Sequence, residues 1–226
     1  MIEEPLVSVI IINYNGLGDL EEFFDSIFNL TYKNVELIII DNNSQDNSVE
    51  IIQKNYPIVK IVELKKNYGF AKGNNLGMPF TKGKYIVLLN MDTVVDKNWL
   101  TELVKVAEQS NYIGIIGSKI YYYDNREIID FAGGSSNIYG KAFHIGMSNK
   151  DNEILNKKKT TFYICGASLL IKRELYDKIG LFDPIYFAYF EDVDLCWRAW
   201  MIGYKVIFAP KSFLYHKIST SFKIWE

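Results

Sequence analysis

The sequence predicts an α/β fold, with a mostly parallel sheet covered by helices on both faces and a smaller mixed region after it. Three observations carry that prediction. Short β-branched runs alternate with stretches of helical apolar spacing as far as Glu108, and strict β-α-β-α alternation implies a parallel sheet. The runs at 7–12 and 35–40 are almost wholly apolar, as strands buried on both faces are. Beyond Glu108 the pattern changes to short strand-like segments separated by Gly, Asp and Asn.

Residues 7–12 form the first strand. A helix over 19–28 follows, with Leu20, Phe23, Phe24 and Ile27 at helical spacing. Strands at 35–40, 58–63 and 84–89 then alternate with helices at 45–54, 71–80 and 98–108. Right-handed crossovers place the loops after these strands along one edge. The second half reads as short strands at 113–116, 120–123, 128–131 and 136–143, then 161–165 and 168–171 interrupted at Gly166. A helix starts near Arg173, a second covers 192–202 and stops at Gly203, and a strand at 205–208 closes the series. The polar stretch 149–159 reads as a mobile loop. No internal repeat or linker divides the 226 residues, which suit one large domain or two tightly joined halves.

Composition narrows the function classes. Hydrophobic residues make up 49% and charged residues 23%, so a core of normal size forms. Aromatics reach 15%, enough to fill a core and to supply platforms for sugar rings. A net charge of −2 gives no reason to expect nucleic acid. Cys165 and Cys196 lack metal-ligand spacing and read as a reduced, cytosolic thiol pair. The acidic start at Glu3 and Glu4 is unlike a signal peptide, and no apolar run reaches membrane-spanning length. Lys211, Lys217, Phe222, Lys223 and Trp225 mix charge with aromatic rings, a pattern compatible with peripheral membrane contact.

Polar residues gather where the early strands end: Asn13-Tyr14-Asn15-Gly16, Asp41-Asn42-Asn43-Ser44 and Asn90-Met91-Asp92-Thr93. In a parallel sheet these endings meet at the carboxyl edge, where open α/β folds bind ligands. Any one of them could be only a helix cap or a turn. Three together favour a nucleotide site. Residues 77–84 fail the P-loop spacing, and no GxGxxG follows the first strand. Diphosphate charge therefore calls for a divalent cation, Mg²⁺ or Mn²⁺, held by Asp92.

Glu191 and Asp192 open the late helix, with Asp192 in line with Leu195, Cys196, Ala199 and Ile202. A helix N-terminus favours the charged carboxylate that a general base needs. Acidic residues also stabilise any helix start, so two readings of Asp192 stand. His216, one of two histidines, follows the last strand and reads either as a satisfied histidine or as a metal ligand.

The stretches VSVIIINYNG (7–16), IIIDNNSQDNS (38–48), NYGFAKGNNLGM (67–78), YIVLLNMDT (85–93) and the long segment CGASLL…IFAP (165–210) resemble family 2 glycosyltransferases of the GT-A fold, in particular the rhamnosyltransferase-like branch. The resemblance covers nearly the whole chain. It implies a single domain over 1–226, with a nucleotide-sugar half at 1–118 and an acceptor half at 119–226. By that resemblance Ile12, Tyr14 and Asp41 meet the nucleobase, and Asn67, Gly69 and Asn74 line the nucleotide and ribose side. Asn90-Met91-Asp92 holds the DXD position, with Asn in place of the first carboxylate. His216 completes the metal site, and Glu191-Asp192 supplies the base, Asp192 first. The implied activity is inverting, Mn²⁺- or Mg²⁺-dependent transfer from a UDP- or dTDP-sugar to a glycan or lipid-linked acceptor, in the cytoplasm or at the inner membrane face. The alternatives are an inactive nucleotide-sugar-binding module and a nucleotidylyltransferase. The latter would want a basic loop after the first strand, and residues 13–18 contain no Arg or Lys. Relatives often continue past the last strand with further helices, so a fragment and a compact form are both open.

Overall fold

The computed structural model describes residues 4–218. The first half follows the alternation in the sequence: β1 (Val7–Asn13), α1 (Leu20–Phe28), β2 (Val35–Asp41), α2 (Ser48–Asn55), β3 (Lys60–Glu63), α3 (Gly69–Gly77), β4 (Tyr85–Asn90), a short β5 (Thr93–Val95) and α4 (Trp99–Ala107). The second half adds β6 (Ile113–Tyr122), β7 (Ile129–Phe131), β8 (Gly134–Ser136), β9 (Ala142–His144), β10 (Lys159–Thr160), β11 (Ser168–Lys172), α5 (Arg173–Ile179), α6 (Glu191–Met201) and β12 (Lys205–His216).

One ten-stranded sheet runs β10-β12-β6-β11-β4-β1-β2-β3, with β5 on β12 and β7 on β6; β8 and β9 form a separate hairpin. β1, β2, β3 and β4 are mutually parallel, and antiparallel β11 joins them to the parallel pair β6 and β12. Central β1 and β4 are buried almost throughout, while β3 at the edge is half exposed. Among the described residues no helix is long and apolar enough to cross a membrane.

The second half departs from expectation in instructive ways. The segments 113–116 and 120–123 are one continuous strand, β6. The segment 136–143 is a hairpin, because Asn137 takes the N–H groups of Tyr139 and Lys141 on its side chain and turns the chain. Residues 161–165 form no strand; Thr161 N–H donates to Val206, Phe162 N–H to Gly134, and the Tyr163 carbonyl accepts from Gly134 N–H. The stretch 149–159 is anchored: buried Lys119 Nζ donates to both carboxylate oxygens of Asp151 and to Asn156, and Asn152 caps a short 3-10 turn at Glu153–Asn156.

The largest difference is β12, expected to stop at 208 but continuing to His216. Pro210 cannot donate to a ladder, and the strand absorbs it through a register shift between Ala209 and Phe213. A buried hydroxyl cluster holds that irregularity. Ser212 Oγ donates to the Trp99 carbonyl at 2.9 Å and lies 2.8 Å from Ser118 Oγ, while the Trp99 indole N–H donates to Ser118 and Ser168. Beyond the bulge, β12 pairs antiparallel with β5, setting His216 opposite Thr93. Ser212→Ala removes both contacts at a fully buried position and is expected to lower the unfolding free energy by about 1–3 kcal/mol, measured by urea denaturation; an unchanged midpoint would show that the cluster does not hold the strand.

Candidate functional site

The carboxyl ends of β1, β2 and β4 open onto a cavity of about 860 Å³, closed on the other side by the β8–β9 hairpin and the start of α6. Its size suits a small-molecule site. Ile12, Tyr14, Asn67, Gly69, Asn90, Asp92, Glu191, Asp192 and His216 all line it. Two expected positions, Asp41 and Asn74, do not appear on the wall. Asp41 is buried behind it, accepting from Asn13 Nδ2 at 2.8 Å, Ser44 Oγ at 2.5 Å and Ser44 N–H at 3.0 Å. Asn74 turns back to the Phe70 carbonyl within its own helix.

The loop before α3 forms one wall. Asn42, at the end of β2, accepts from Tyr68 N–H and donates to the Gly69 carbonyl, and Asn67 Oδ1 accepts from Gly69 N–H. Gly69 has φ +77°, and a Cβ there would stand 2.5 Å from the Phe187 carbonyl. That carbonyl takes the N–H groups of Phe70 and Ala71. Glycine is required for the approach.

At the centre, β4 and β12 bring together residues 124 positions apart: His216 Nε2 lies 3.1 Å from Asp92 Oδ1. Asn90 Nδ2 is 3.5 Å from the same nitrogen. On the far side of the ring, His216 Nδ1 is 3.8 Å from Asp130 Oδ2. Burial alone would lower the His216 pKa, but Asp92 and Asp130 outweigh it and lift it to about 9. Burial works the other way on Asp130, and His144 and His216 reverse it, holding that carboxyl down at about 2.

α6 begins after two consecutive non-glycine residues with positive φ, Tyr189 (71°) and Phe190 (68°). Bulky residues adopt this conformation only where the surroundings impose it, and such strain clusters at functional sites. The turn sets Glu191 in a buried position with Oε2 lacking any hydrogen-bond partner. Burial, then the Asp192 charge, pushes the Glu191 carboxyl up to about 8. Asp192 Oδ2 accepts from Gly166 N–H at 2.9 Å and Oδ1 from Val193 N–H at 2.8 Å. Burial raises its pKa despite these bonds. The N–H groups at the helix start favour its charge as expected, but desolvation is the larger effect. The stripe also ends early, since Leu195, Cys196 and Ala199 are buried while Ile202 is 47% exposed. Arg198 pairs with Asp194 one turn away and also donates to the carbonyls of Ile179 and Leu181.

Asp130 and His144 line the cavity and went unremarked in the sequence. The available signal was the scarcity of histidine. Both histidines converge on one carboxylate, with His144 Nδ1 3.7 Å from Asp130 Oδ1. Cys165 and Cys196 are free thiols. Of the residues read as membrane-facing, Lys217 pairs with Asp19 and Glu22, and Phe222, Lys223 and Trp225 lie outside the described residues.

The donor set fits a divalent cation completed by substrate. Two ligands at right angles, each about 2.1 Å from a six-coordinate ion, stand about 3.0 Å apart, and Asp92 Oδ1 and His216 Nε2, hydrogen-bonded at 3.1 Å, match that spacing; the imidazole would release its proton on binding a cation. Among the described residues no group of three or more His, Cys, Asp or Glu side chains forms a closed cage. A cation held by this pair would take further ligands from neighbouring amides, water or phosphate.

The fold is the GT-A fold of glycosyltransferases. The structure of GalNAc-T7 with UDP, GalNAc and Mn²⁺ superposes with a TM-score of 0.79 at 20% identity, over 96% of this chain and 44% of that one. The glycosyl transferase family 2 model matches residues 8–180, and the chain belongs to that family. An uncharacterized protein, y4gI of Sinorhizobium fredii, is 31% identical over 96% of this chain and 25% of its own length. Glycosyltransferase GlyG of Streptococcus pneumoniae is 27% identical over 96% of this chain and 72% of its own. The chain thus spans a quarter of the first relative's length.

Because the Glu191 pKa is raised on folding, the residue favours the fold most at low pH. That contribution fades as pH rises from about 4.5 through about 8. Glu191→Gln keeps an uncharged side chain, so wild type is expected to lose stability relative to this variant across that window. Parallel urea-midpoint curves would contradict a protonated Glu191.

Proposed function

We propose that the chain is an inverting, metal-dependent glycosyltransferase that moves a sugar from a nucleoside diphosphate to an acceptor hydroxyl. One observation carries the reading: Asp92 and His216 stand 3.1 Å apart on the wall of the same cavity that Asp192 lines. Asp92 and His216, with Asn90 beside them, would hold Mn²⁺ or Mg²⁺, which neutralises charge on a leaving diphosphate. The solved neighbour that carries UDP and Mn²⁺ supports that choice of ligand.

Ile12, Tyr14, Asn42, Asn67 and Gly69 receive the nucleoside, while Asp41 holds Asn13 and Ser44 and Asn74 holds the first turn of α3. Asp192, oriented by the Gly166 and Val193 N–H groups, takes the proton of the acceptor hydroxyl. The oxygen attacks the anomeric carbon as the bond to diphosphate breaks on the opposite face, so the configuration inverts. Burial and the neighbouring Asp192 charge favour the neutral form of Glu191, which spares Asp192 a second negative charge. In this reading residues 1–118 serve the donor and 119–226 the acceptor and base. The donor is a UDP- or dTDP-sugar, as in the rhamnosyltransferase-like branch. The acceptor is a glycan or lipid-linked glycan of bacterial-type polysaccharide synthesis, met at the cytoplasmic side of the membrane.

A donor panel with and without Mn²⁺, read as release of free nucleoside diphosphate, tests the activity; binding without release from any donor would leave an inactive binding module. Asp192→Asn is expected to keep nucleotide affinity and to lower transfer by about 10² to 10⁴. Wild-type turnover in that variant would remove Asp192 from the base role.

A further inference from the structure

The β8–β9 hairpin delivers a second imidazole to the cavity. His144 is paired opposite Gly134, and the strands on either side are clamped by Ala132 N–H to Ile145 O and Ile145 N–H to Gly133 O. Its ring stands edge-on to Phe131, centroids 4.9 Å apart, with Tyr163 at 6.1 Å. The orientation is set further by hydrogen bonding. Nδ1 lies 3.2 Å from the Asp130 carbonyl oxygen, which can only accept, so Nδ1 carries the proton. In the neutral ring Nε2 is then an acceptor, at the corner of the ring away from Asp130. The side chain is 28% exposed and lines the cavity. Asp192 lines the same cavity. A ring fixed by packing, with its tautomer set by main chain and an acceptor nitrogen on the side away from it, is prearranged for a hydroxyl donor. The metal-side pair does not use it.

We propose that His144 is a substrate-contacting residue whose Nε2 accepts a hydrogen bond from a sugar hydroxyl beside Asp192. The proposal rests on the glycosyltransferase reading above. That hydroxyl belongs either to the donor sugar or to the acceptor; the chemistry is the same, and binding separates the two.

The test uses the full chain and its variants His144→Phe, which fills the space without an acceptor, and His144→Gln, whose amide oxygen can accept. UDP with Mn²⁺ and then each nucleotide sugar of the donor panel are titrated by calorimetry, and nucleoside diphosphate release is followed in parallel. Affinity for UDP, which lacks the transferred sugar, should be the same in all three proteins. His144→Phe should lose about three- to tenfold, the scale of one neutral hydrogen bond, and His144→Gln should recover part of it. Loss in nucleotide-sugar affinity assigns the hydroxyl to the donor. Unchanged donor affinity with loss only in turnover assigns it to the acceptor. Equal binding and turnover in His144→Phe and wild type would overturn the proposal alone, as would a loss of UDP affinity in a folded variant. Wild type that neither binds nor consumes any donor would overturn the glycosyltransferase reading, and this proposal with it.

Discussion

The register of β12 is the constraint on which the site depends. Side chains alternate faces along a strand, so a slip of one residue turns every one of them over. Only with His216 opposite Thr93 does its imidazole meet Asp92. That phase is established earlier in the strand, where it takes up Pro210 in an irregularity between Ala209 and Phe213. Trp99, Ser118, Ser168 and Ser212 hold the irregularity from inside the core. A hydroxyl cluster away from the cavity thereby governs which atoms meet within it. Lys217 N–H, donating to the Asp92 carbonyl at 2.9 Å, locks the final residue pair.

The rest of the cavity is built at some cost in local stability. Two aromatic residues before α6 hold positive φ, Glu191 Oε2 and Asn13 Oδ1 are buried without partners, and the Glu191 and Asp192 carboxyls lie side by side. Each feature opposes folding on its own. Together they hold polar groups at a low-dielectric wall, where a charge developing on substrate is felt strongly. The surrounding sheet, with β1 and β4 buried almost throughout, supplies the rigidity that makes such a wall sustainable.

What could be read in the sequence was what is local. The buried parallel strands declared themselves by β-branched runs, and three polar strand endings located the cavity edge. Tyr14, Asn67, Asp92 and Asp192 were named from their motifs, and all stand on its wall. Long-range pairing was not legible. The last strand was expected to stop at Phe208 because the bulge that carries it past Pro210 depends on serines far away in the chain. Asp130 and His144 sit in short strands with no periodicity to mark them. Asp41 and Asn74 looked like ligand contacts because side-chain bonds to Asn13, Ser44 and Phe70 are invisible without coordinates. The upward pull of burial on the Asp192 pKa was hidden for a related reason: helix position can be read from sequence, whereas desolvation depends on the whole fold.

The central claim is that residues 92 and 216 form one half of a cation site that a diphosphate completes. Diffraction from crystals grown with UDP and Mn²⁺, recorded where manganese scatters anomalously, tests it most directly. The account predicts a peak within coordination distance of both Asp92 and His216, with diphosphate oxygens on its open side. A peak elsewhere, or bound UDP with no manganese beside these two residues, would contradict it.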